Sequence, residues 1–283
     1  MKRLLFGLAL LSLTSLAFAQ KKTDYSKVPS LVKEEKEKGN YKLADSLAKD
    51  YMDNYLFKLT ENQLMSKDNL SFINENLTTT DIKGFKLFFK QRNKVNSVLG
   101  PHKAEYAIRY AIAKQYIPKE IEQNSGTIDW EKIEYAVVTK FGALGQETFY
   151  GNRMEYYFNA KDWNNFGKYY MLYFEKALKR PEYDINDTTW FLFENVNDPK
   201  ALKFACDVVM KYAMGEWYET NVNAYDTYAN LLYKMGNKDK AIEWEEKALR
   251  LAKGNEYLEK QFMVALGKMQ KNEKTWKETS INP

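Results

Sequence analysis

The residue types that most often perform chemistry in proteins are scarce in this chain. His102 is the only histidine and Cys206 the only cysteine among the 283 residues. A histidine-based triad or a zinc site needs several such groups brought together, so almost nothing is left to assemble one. His102 follows Gly100-Pro101 at a predicted helix start, which favours a capping or surface role. Cys206 is predicted to lie inside a helix as a small apolar residue.

Carboxylate pairs are the remaining catalytic possibility, because a glycosidase needs only two acids that flank a cleft. Pairs arise at many spacings among the 38 acidic residues, for example Glu131 with Glu134 and Glu243 with Glu246. Neighbouring lysines favour exposed helix faces as the interpretation of both pairs. An enzyme that uses buried acids stays an alternative, which two buried acids with raised pKa values in one pocket would favour. We predict no catalytic residue, no cofactor and no metal site.

Aromatic residues are unusually abundant, with 21 Tyr, 16 Phe and 6 Trp. Clusters such as Tyr156-Tyr157-Phe158 and Trp190-Phe191 could line a sugar or peptide site. Helical repeats, however, pack large aromatic side chains opposite small ones. The preferred prediction is therefore that most of these rings belong to the core.

The elements that must position these residues are helices. Glycine (13) and proline (6) are rare for the length, and apolar residues recur at spacings of three and four. Ala44, Leu47, Ala48 and Tyr51, for example, share one helix face. Short segments with turn chemistry separate such stretches; they include Gly39-Asn40, Gly100-Pro101, Arg180-Pro181, Asn197-Asp198-Pro199 and Gly236-Asn237. The pattern predicts an all-α protein made of short helices.

Residues 222–255 resemble one tetratricopeptide repeat of 34 residues. The matching positions are Tyr225, Tyr228, Ala229, Leu232, the Gly236-Asn237 turn, Ala241 and Ala248. The small residues among them mark places where two helices approach closely. Glu245 departs from the pattern, because it stands where the repeat prefers an aromatic residue. The resemblance implies a right-handed superhelix of stacked helical hairpins, a TPR-like α-solenoid.

The first helix of a tetratricopeptide repeat lines the concave surface of the solenoid. The corresponding positions in this chain are Asn223, Asp226, Asn230, Tyr233 and Lys234. Hydrogen-bonding side chains at all five positions are consistent with a partner-binding groove for a peptide. They are equally consistent with a plain solvated helix face, and the sequence leaves both interpretations open.

A second resemblance covers about residues 40–270, and the run over residues 197–252 carries it. Asp198-Pro199, the run Tyr228-Ala229-Asn230 and Ala241-Ile242-Glu243-Trp244 are similar to the helical extension that follows the thioredoxin fold in exported thioredoxin-like proteins of Gram-negative bacteria. The chain lacks a Cys-x-x-Cys motif and the thioredoxin domain itself, so no redox activity is implied. What the resemblance implies is an exported helical module.

Residues 1–19 have the pattern of a secretory signal peptide. Lys2-Arg3 precede an apolar run, and Ala17-Phe18-Ala19 supply the small residues of a cleavage site. The run is shorter than the roughly 20 residues that span a bilayer, so we predict cleavage after Ala19 and no membrane insertion afterwards. A lipoprotein would need a cysteine there, and Cys206 is the only one. The expected location is periplasmic or secreted.

The predicted organisation after the signal peptide has three parts. They are an irregular helical-hairpin region over 20–180, repeats with a capping helix over 181–275, and a disordered tail over 276–283. Without Lys2 and Arg3 of the signal, 41 Lys and Arg stand against 38 Asp and Glu, and a net charge of about +3 is too weak to indicate a nucleic-acid partner. We predict an exported, non-enzymatic scaffold that binds a protein or peptide in the cell envelope. The alternative is an accessory interaction module of an exported thioredoxin-like or glycan-processing system.

Overall fold

A computed structural model of the chain describes residues 24–117, 128–177, 181–211 and 221–277. These residues form fourteen α-helices and two 3₁₀ turns, and none of them lies in a strand. The all-α prediction is confirmed. The predicted signal peptide lies outside the described residues. Within the described part of the chain, no helix is long and apolar enough to cross a membrane.

The chain divides into two compact units, Met1–Leu64 and Met65–Pro283. The helices of the first unit are α1 (Val28–Glu37), α2 (Tyr41–Asn54) and α3 (Glu61–Leu64). Those of the second are α4 (Lys67–Glu75), α5 (Lys83–Lys90), α6 (Arg92–Leu99), α7 (Lys103–Tyr116), α8 (Trp130–Asn159), α9 (Trp163–Lys176), α10 (Ile185–Asn195), α11 (Pro199–Val208), α12 (Val222–Lys234), α13 (Lys238–Leu251) and α14 (Glu256–Gln270).

The first unit contains the predicted hairpin of α1 and α2. Gly39 makes the turn with a φ of +80°, a left-handed conformation that glycine adopts without the steric cost of a Cβ atom. Ala44 and Ala48 are fully buried where α2 packs against α1. The helix face predicted from the spacing of these residues is therefore the buried one.

In the second unit, each helix from α7 to α13 packs against the helix that follows it in the chain. Helices two apart also touch: α9 packs against α11, and α10 against α12. Short polar side chains begin several of these helices. Asp184 and Asn255, for example, accept the Asp187 and Leu258 backbone N–H groups at the starts of α10 and α14. The sequence thus specifies where these capped helices start.

The hairpin of α12 and α13 follows the predicted 222–255 segment closely. Gly236 turns the chain with a φ of +86°. Ala229, Ala241 and Ala248 are all fully buried, which allows the helices to approach closely. Trp244 on α13 packs its ring 5.0 Å from that of Tyr228 on α12, centroid to centroid.

Candidate functional site

A pocket in the second unit lies between α10, α12 and α14. It has a volume of about 740 Å³ and is open to solvent. We call it the α12 pocket, because α12 supplies one wall through Asn223, Asp226, Thr227 and Asn230. Its other walls include Asn186 and Trp190 from α10 and Tyr257, Lys260, Gln261 and Lys268 from α14.

Helical periodicity explains why α12 presents these polar residues to the pocket. They recur at spacings of one, three and four, which places them on one side of a helix. Ala224, Ala229 and Leu231 are fully buried on other sides. The Thr227 hydroxyl donates to Asn186 Oδ1 at 2.8 Å, and this hydrogen bond joins α12 to α10. The pocket is thus built on packed helices rather than on loops.

Two acids lie side by side beneath the α12 wall. Glu245 on α13 is fully buried, and no donor in the described part of the chain reaches either of its carboxyl oxygens. Its carboxyl group lies within hydrogen-bonding distance of that of Asp226. Two ionised carboxylates would repel each other there, so Glu245 must keep its proton and donate it to Asp226. We call these two residues the acid pair.

The electrostatics of the acid pair follow from burial. Loss of solvation is the largest cause that raises the pKa of Glu245, followed by the neighbouring charge of Asp226 and the hydrogen bond between them. Burial also raises the pKa of Asp226, while the hydrogen bonds from Glu245 and Asn230 oppose that rise. Asp226 is therefore the member that is ionised at neutral pH, and the pair carries one negative charge.

Asn230 holds the Asp226 carboxylate in place and leaves one acceptor unused. Its Nδ2 donates to both the backbone oxygen and Oδ1 of Asp226, each at 2.9 Å. These two acceptors determine which end of the amide faces Asp226. The residue is only 1% exposed, yet its Oδ1 has no hydrogen-bond partner in the described part of the chain. This oxygen is enclosed by the protein, so the polar group that Asn230 positions at the α12 wall is the Asp226 carboxylate.

Not all five predicted groove residues lie in the α12 pocket. Asn223, Asp226 and Asn230 line it, whereas Tyr233 and Lys234 are not among its lining residues. The Tyr233 ring packs 6.2 Å from that of Trp276. Lys234 Nζ donates to the backbone oxygens of Phe193 and Val196 at the end of α10. Burial lowers the pKa of Lys234 to about 8.

A smaller pocket of about 290 Å³ lies beside a buried ion pair. Arg109 on α7 contacts Glu147 on α8 at 2.7 Å, and the two side chains are 3% and 0% exposed. Glu155 and Glu182 also line this pocket. Because the cation of Arg109 is matched by Glu147, its evident role is to join α7 to α8.

A second buried cation lies within aromatic rings. Arg153 on α8 is 4% exposed, and its guanidinium lies 3.9 Å from the ring centroid of Trp130 and 4.5 Å from that of Tyr169. It also donates to the Tyr157 hydroxyl. Most of the 156–158 and 169–174 aromatic cluster is therefore packed around this cation or inside the core, as preferred from the sequence.

The remaining chemical predictions have mixed outcomes. His102 precedes α7 and Cys206 is buried in α11, as expected. Glu243 and Glu246 are exposed, also as expected. The prediction of an exposed face is wrong for Glu134. This residue is half-buried and accepts a hydrogen bond from the Tyr150 hydroxyl at 2.8 Å. Over the described ranges, no cluster of three or more His, Cys, Asp or Glu is placed to hold a metal.

Sequence reasoning missed Glu245 as a member of the site. It identified Glu245 only as a departure from the repeat pattern, at a position that prefers an aromatic residue. That departure was the available signal, because an acid at a position that the repeat buries needs a partner. The contribution of α14 was not predictable from the 222–255 segment. In comparisons with known proteins, the chain matches no protein-family model, no curated protein and no solved structure.

Proposed function

We propose that this protein is an exported, non-enzymatic helical-repeat scaffold that binds a peptide or a segment of another protein in the α12 pocket. The observation that carries the proposal is the composition of that pocket. Amide and carboxylate groups from α12 face Trp190 and Tyr257 across an open volume of about 740 Å³. Polar groups that can bond a backbone, beside aromatic rings that can hold side chains, suit an extended peptide.

The packing of the helices supports this proposal. Helices one and two apart are in contact from α9 to α12, and such contacts support an arrangement of stacked hairpins. A right-handed superhelix of such hairpins would place the first helix of each on a common concave face. Asn223, Asp226 and Asn230 belong to such a first helix. The predicted export signal at 1–19 supports a partner in the cell envelope.

The acid pair raises hydrolysis as a second candidate function, because a dyad with one proton can act as acid and base. Glycosidase carboxyl groups are about 5 Å or more apart so that they can flank the scissile bond. Asp226 and Glu245 are instead within hydrogen-bonding distance, and only Asp226 lines the pocket. This arrangement favours binding over glycoside hydrolysis.

A site-specific photo-crosslinking experiment tests the proposed function. A photoreactive residue replaces Asn223, which is exposed at the pocket, and in a control it replaces Lys240, which is exposed on α13 outside it. We expect Asn223 to give a discrete adduct in the producing cell. A synthetic peptide from the crosslinked segment should abolish that adduct. Identical adducts at both positions, or no adduct at Asn223, would refute peptide binding in this pocket.

A further inference from the structure

The predicted groove on α12 continues beyond the α12 pocket. Asn230 lines the pocket, and Tyr233 and Lys234 follow it in the chain by three and four residues. Residues at these spacings lie on one side of a helix, one turn apart. The surface over Tyr233 and Lys234 is therefore the direct continuation of the α12 wall, although neither residue lines the pocket itself.

A segment of the chain itself covers that continuation. After α14, Asn272 turns the chain with a φ of +59°, and the residues that follow it are not helical. Thr275 lines the α12 pocket, and the ring of the next residue, Trp276, packs on that of Tyr233. Residues 273–277, which we call the returning segment, thus pass from the pocket onto the second half of the predicted groove.

Two rings and a cation receive Trp276. Its ring centroid lies 6.1 Å from that of Phe193 on α10 and 6.2 Å from that of Tyr233, and both pairs are edge-to-face. Lys234 Nζ lies 5.4 Å from the centroid of the same indole ring. Among aromatic side chains, an indole interacts most strongly with a cation over its face. We call Phe193, Tyr233 and Lys234 the indole seat.

We propose that the indole seat is a subsite for an indole side chain of the peptide ligand, and that Trp276 occupies it as an intramolecular competitor until the ligand displaces it. This inference rests on the proposed function and names a residue that the groove recognises. The seat is built on packed helices: Lys234 Nζ donates to the backbone oxygens of Phe193 and Val196, which fixes the cation for either indole.

The returning segment has the properties of a displaceable occupant. It is short and lies outside the helices, and Trp276 is half-buried rather than enclosed. Release of Trp276 therefore breaks ring and cation contacts but no hydrogen bond of a helix. Such segments open at a small cost in free energy. A tethered ligand has an effective concentration in the millimolar range, so it weakens the binding of a competitor without excluding it.

The test supplies the same indole in trans. The probe is Ac-Asn-Glu-Lys-Thr-Trp-Lys-NH₂, which has the sequence of residues 272–277, and its counterpart has Leu in place of Trp. Each peptide is titrated calorimetrically into the full chain, its Trp276→Ala variant and the control Lys277→Ala. Lys277 is exposed and adjoins Trp276, so the control alters the returning segment and keeps its indole.

We expect the Trp peptide to bind Trp276→Ala about 10- to 100-fold more tightly than it binds the unaltered protein or Lys277→Ala, because the seat is then vacant. The Leu peptide should bind Trp276→Ala about tenfold more weakly than the Trp peptide does. Circular dichroism of both variants should match that of the unaltered protein. Equal affinity of the Trp peptide for all three proteins, or of both peptides for Trp276→Ala, overturns the inference.

A second measurement needs no substitution at the seat. The unaltered protein is labelled at its indole nitrogens, and the assigned Trp276 resonance is followed by NMR as the Trp peptide is added. Displacement should move this resonance to the position that it has in the free peptide. A resonance that stays in place when the peptide exceeds the effective concentration of the tether overturns the inference, even if Trp276→Ala does not fold.

Photo-crosslinking at Asn223 separates failure of the inference from failure of the proposed function. With Trp276→Ala added, the adduct should increase several-fold at equal expression, and the crosslinked segment should contain a tryptophan. If Trp276→Ala leaves the adduct unchanged or reduces it, the returning segment only braces the helices, so the inference falls and peptide binding stands. If the Trp peptide binds the vacated seat but Asn223 gives no adduct, the indole subsite stands and the partner in the cell envelope falls.

Discussion

Replacement of Glu245 by glutamine should stabilise the protein, and the gain should grow with pH. A glutamine has nearly the same shape and can donate its amide to Asp226, as the protonated glutamate does. In the unfolded chain, however, Glu245 ionises near its ordinary pKa of 4.5, whereas burial raises its pKa in the fold. Folding above pH 4.5 must therefore return a proton to Glu245, and the glutamine variant avoids this step.

The sign and size of the effect follow from proton linkage. Above pH 4.5, Glu245 holds one more proton in the folded state than in the unfolded state, so its contribution to the free energy of unfolding falls as the pH rises. The loss is about 1.4 kcal/mol per pH unit, which amounts to about 3 kcal/mol for Glu245 at pH 7. Glu245→Gln and the unaltered protein should be similarly stable at pH 4, and the variant should be about 3 kcal/mol more stable at pH 7.

Urea denaturation, followed by circular dichroism between pH 4 and 8, measures this difference. A gain of that size corresponds to a shift of about 1 M in the urea midpoint at pH 7. Glu246→Gln is the matched control, because Glu246 is exposed on the same helix and its stability profile should parallel that of the unaltered protein. Parallel profiles for Glu245→Gln and the unaltered protein would refute a protonated Glu245 in the fold.

Five further substitutions test the packing and the charge of buried groups. Gly151→Ala should lower the free energy of unfolding by about 1–3 kcal/mol, because the new Cβ would lie 2.7 Å from a tyrosine ring atom. Gly267→Ala should raise it by about 0.5–1 kcal/mol, because no atom lies within 4 Å of the new Cβ. Thermal denaturation measures both changes. Arg109→Met should lower the free energy of unfolding, measured in urea, by about 3–5 kcal/mol, because it removes the cation that pairs with the buried Glu147 carboxylate. Addition of Glu147→Leu should recover most of this loss. Burial lowers the pKa of Lys234 to about 8, so at this residue the unfolded state binds more protons between pH 8 and 10.5. The thermal midpoint of the unaltered protein should therefore rise relative to that of Lys234→Met as the pH increases over this range.

The helices could be predicted from the sequence because local signals agree with the packing. Residues 222–255 combine apolar spacing, a Gly236-Asn237 turn and small residues at the close contacts, and each signal acts within a few residues. The turn is a left-handed glycine and Ala229, Ala241 and Ala248 are fully buried, as this pattern requires. Local consistency of this kind needs no knowledge of the rest of the fold.

The site could be predicted only in part, because its other walls come from distant segments. The α12 face is a local feature, and three of its five predicted residues line the pocket. Lys234 reaches instead to backbone oxygens on α10, a contact between residues about 40 positions apart. Helical spacing shows which side of α12 a residue occupies, but it does not show which neighbouring helix meets that side.

The position of Glu245 connects the repeat pattern to the proposed ligand. An aromatic residue at this position would bury apolar surface and would take up no proton on folding. Glu245 must take up a proton, so it makes the fold less stable at neutral pH. Among the described residues, its one evident structural effect is to hold the carboxylate of Asp226, which lines the pocket. Local choices that oppose stability are concentrated at functional sites. If Glu245→Gln is more stable and the photoreactive residue at position 223 still gives its adduct in that variant, then Glu245 changes stability alone, and binding in the α12 pocket does not depend on its carboxyl group.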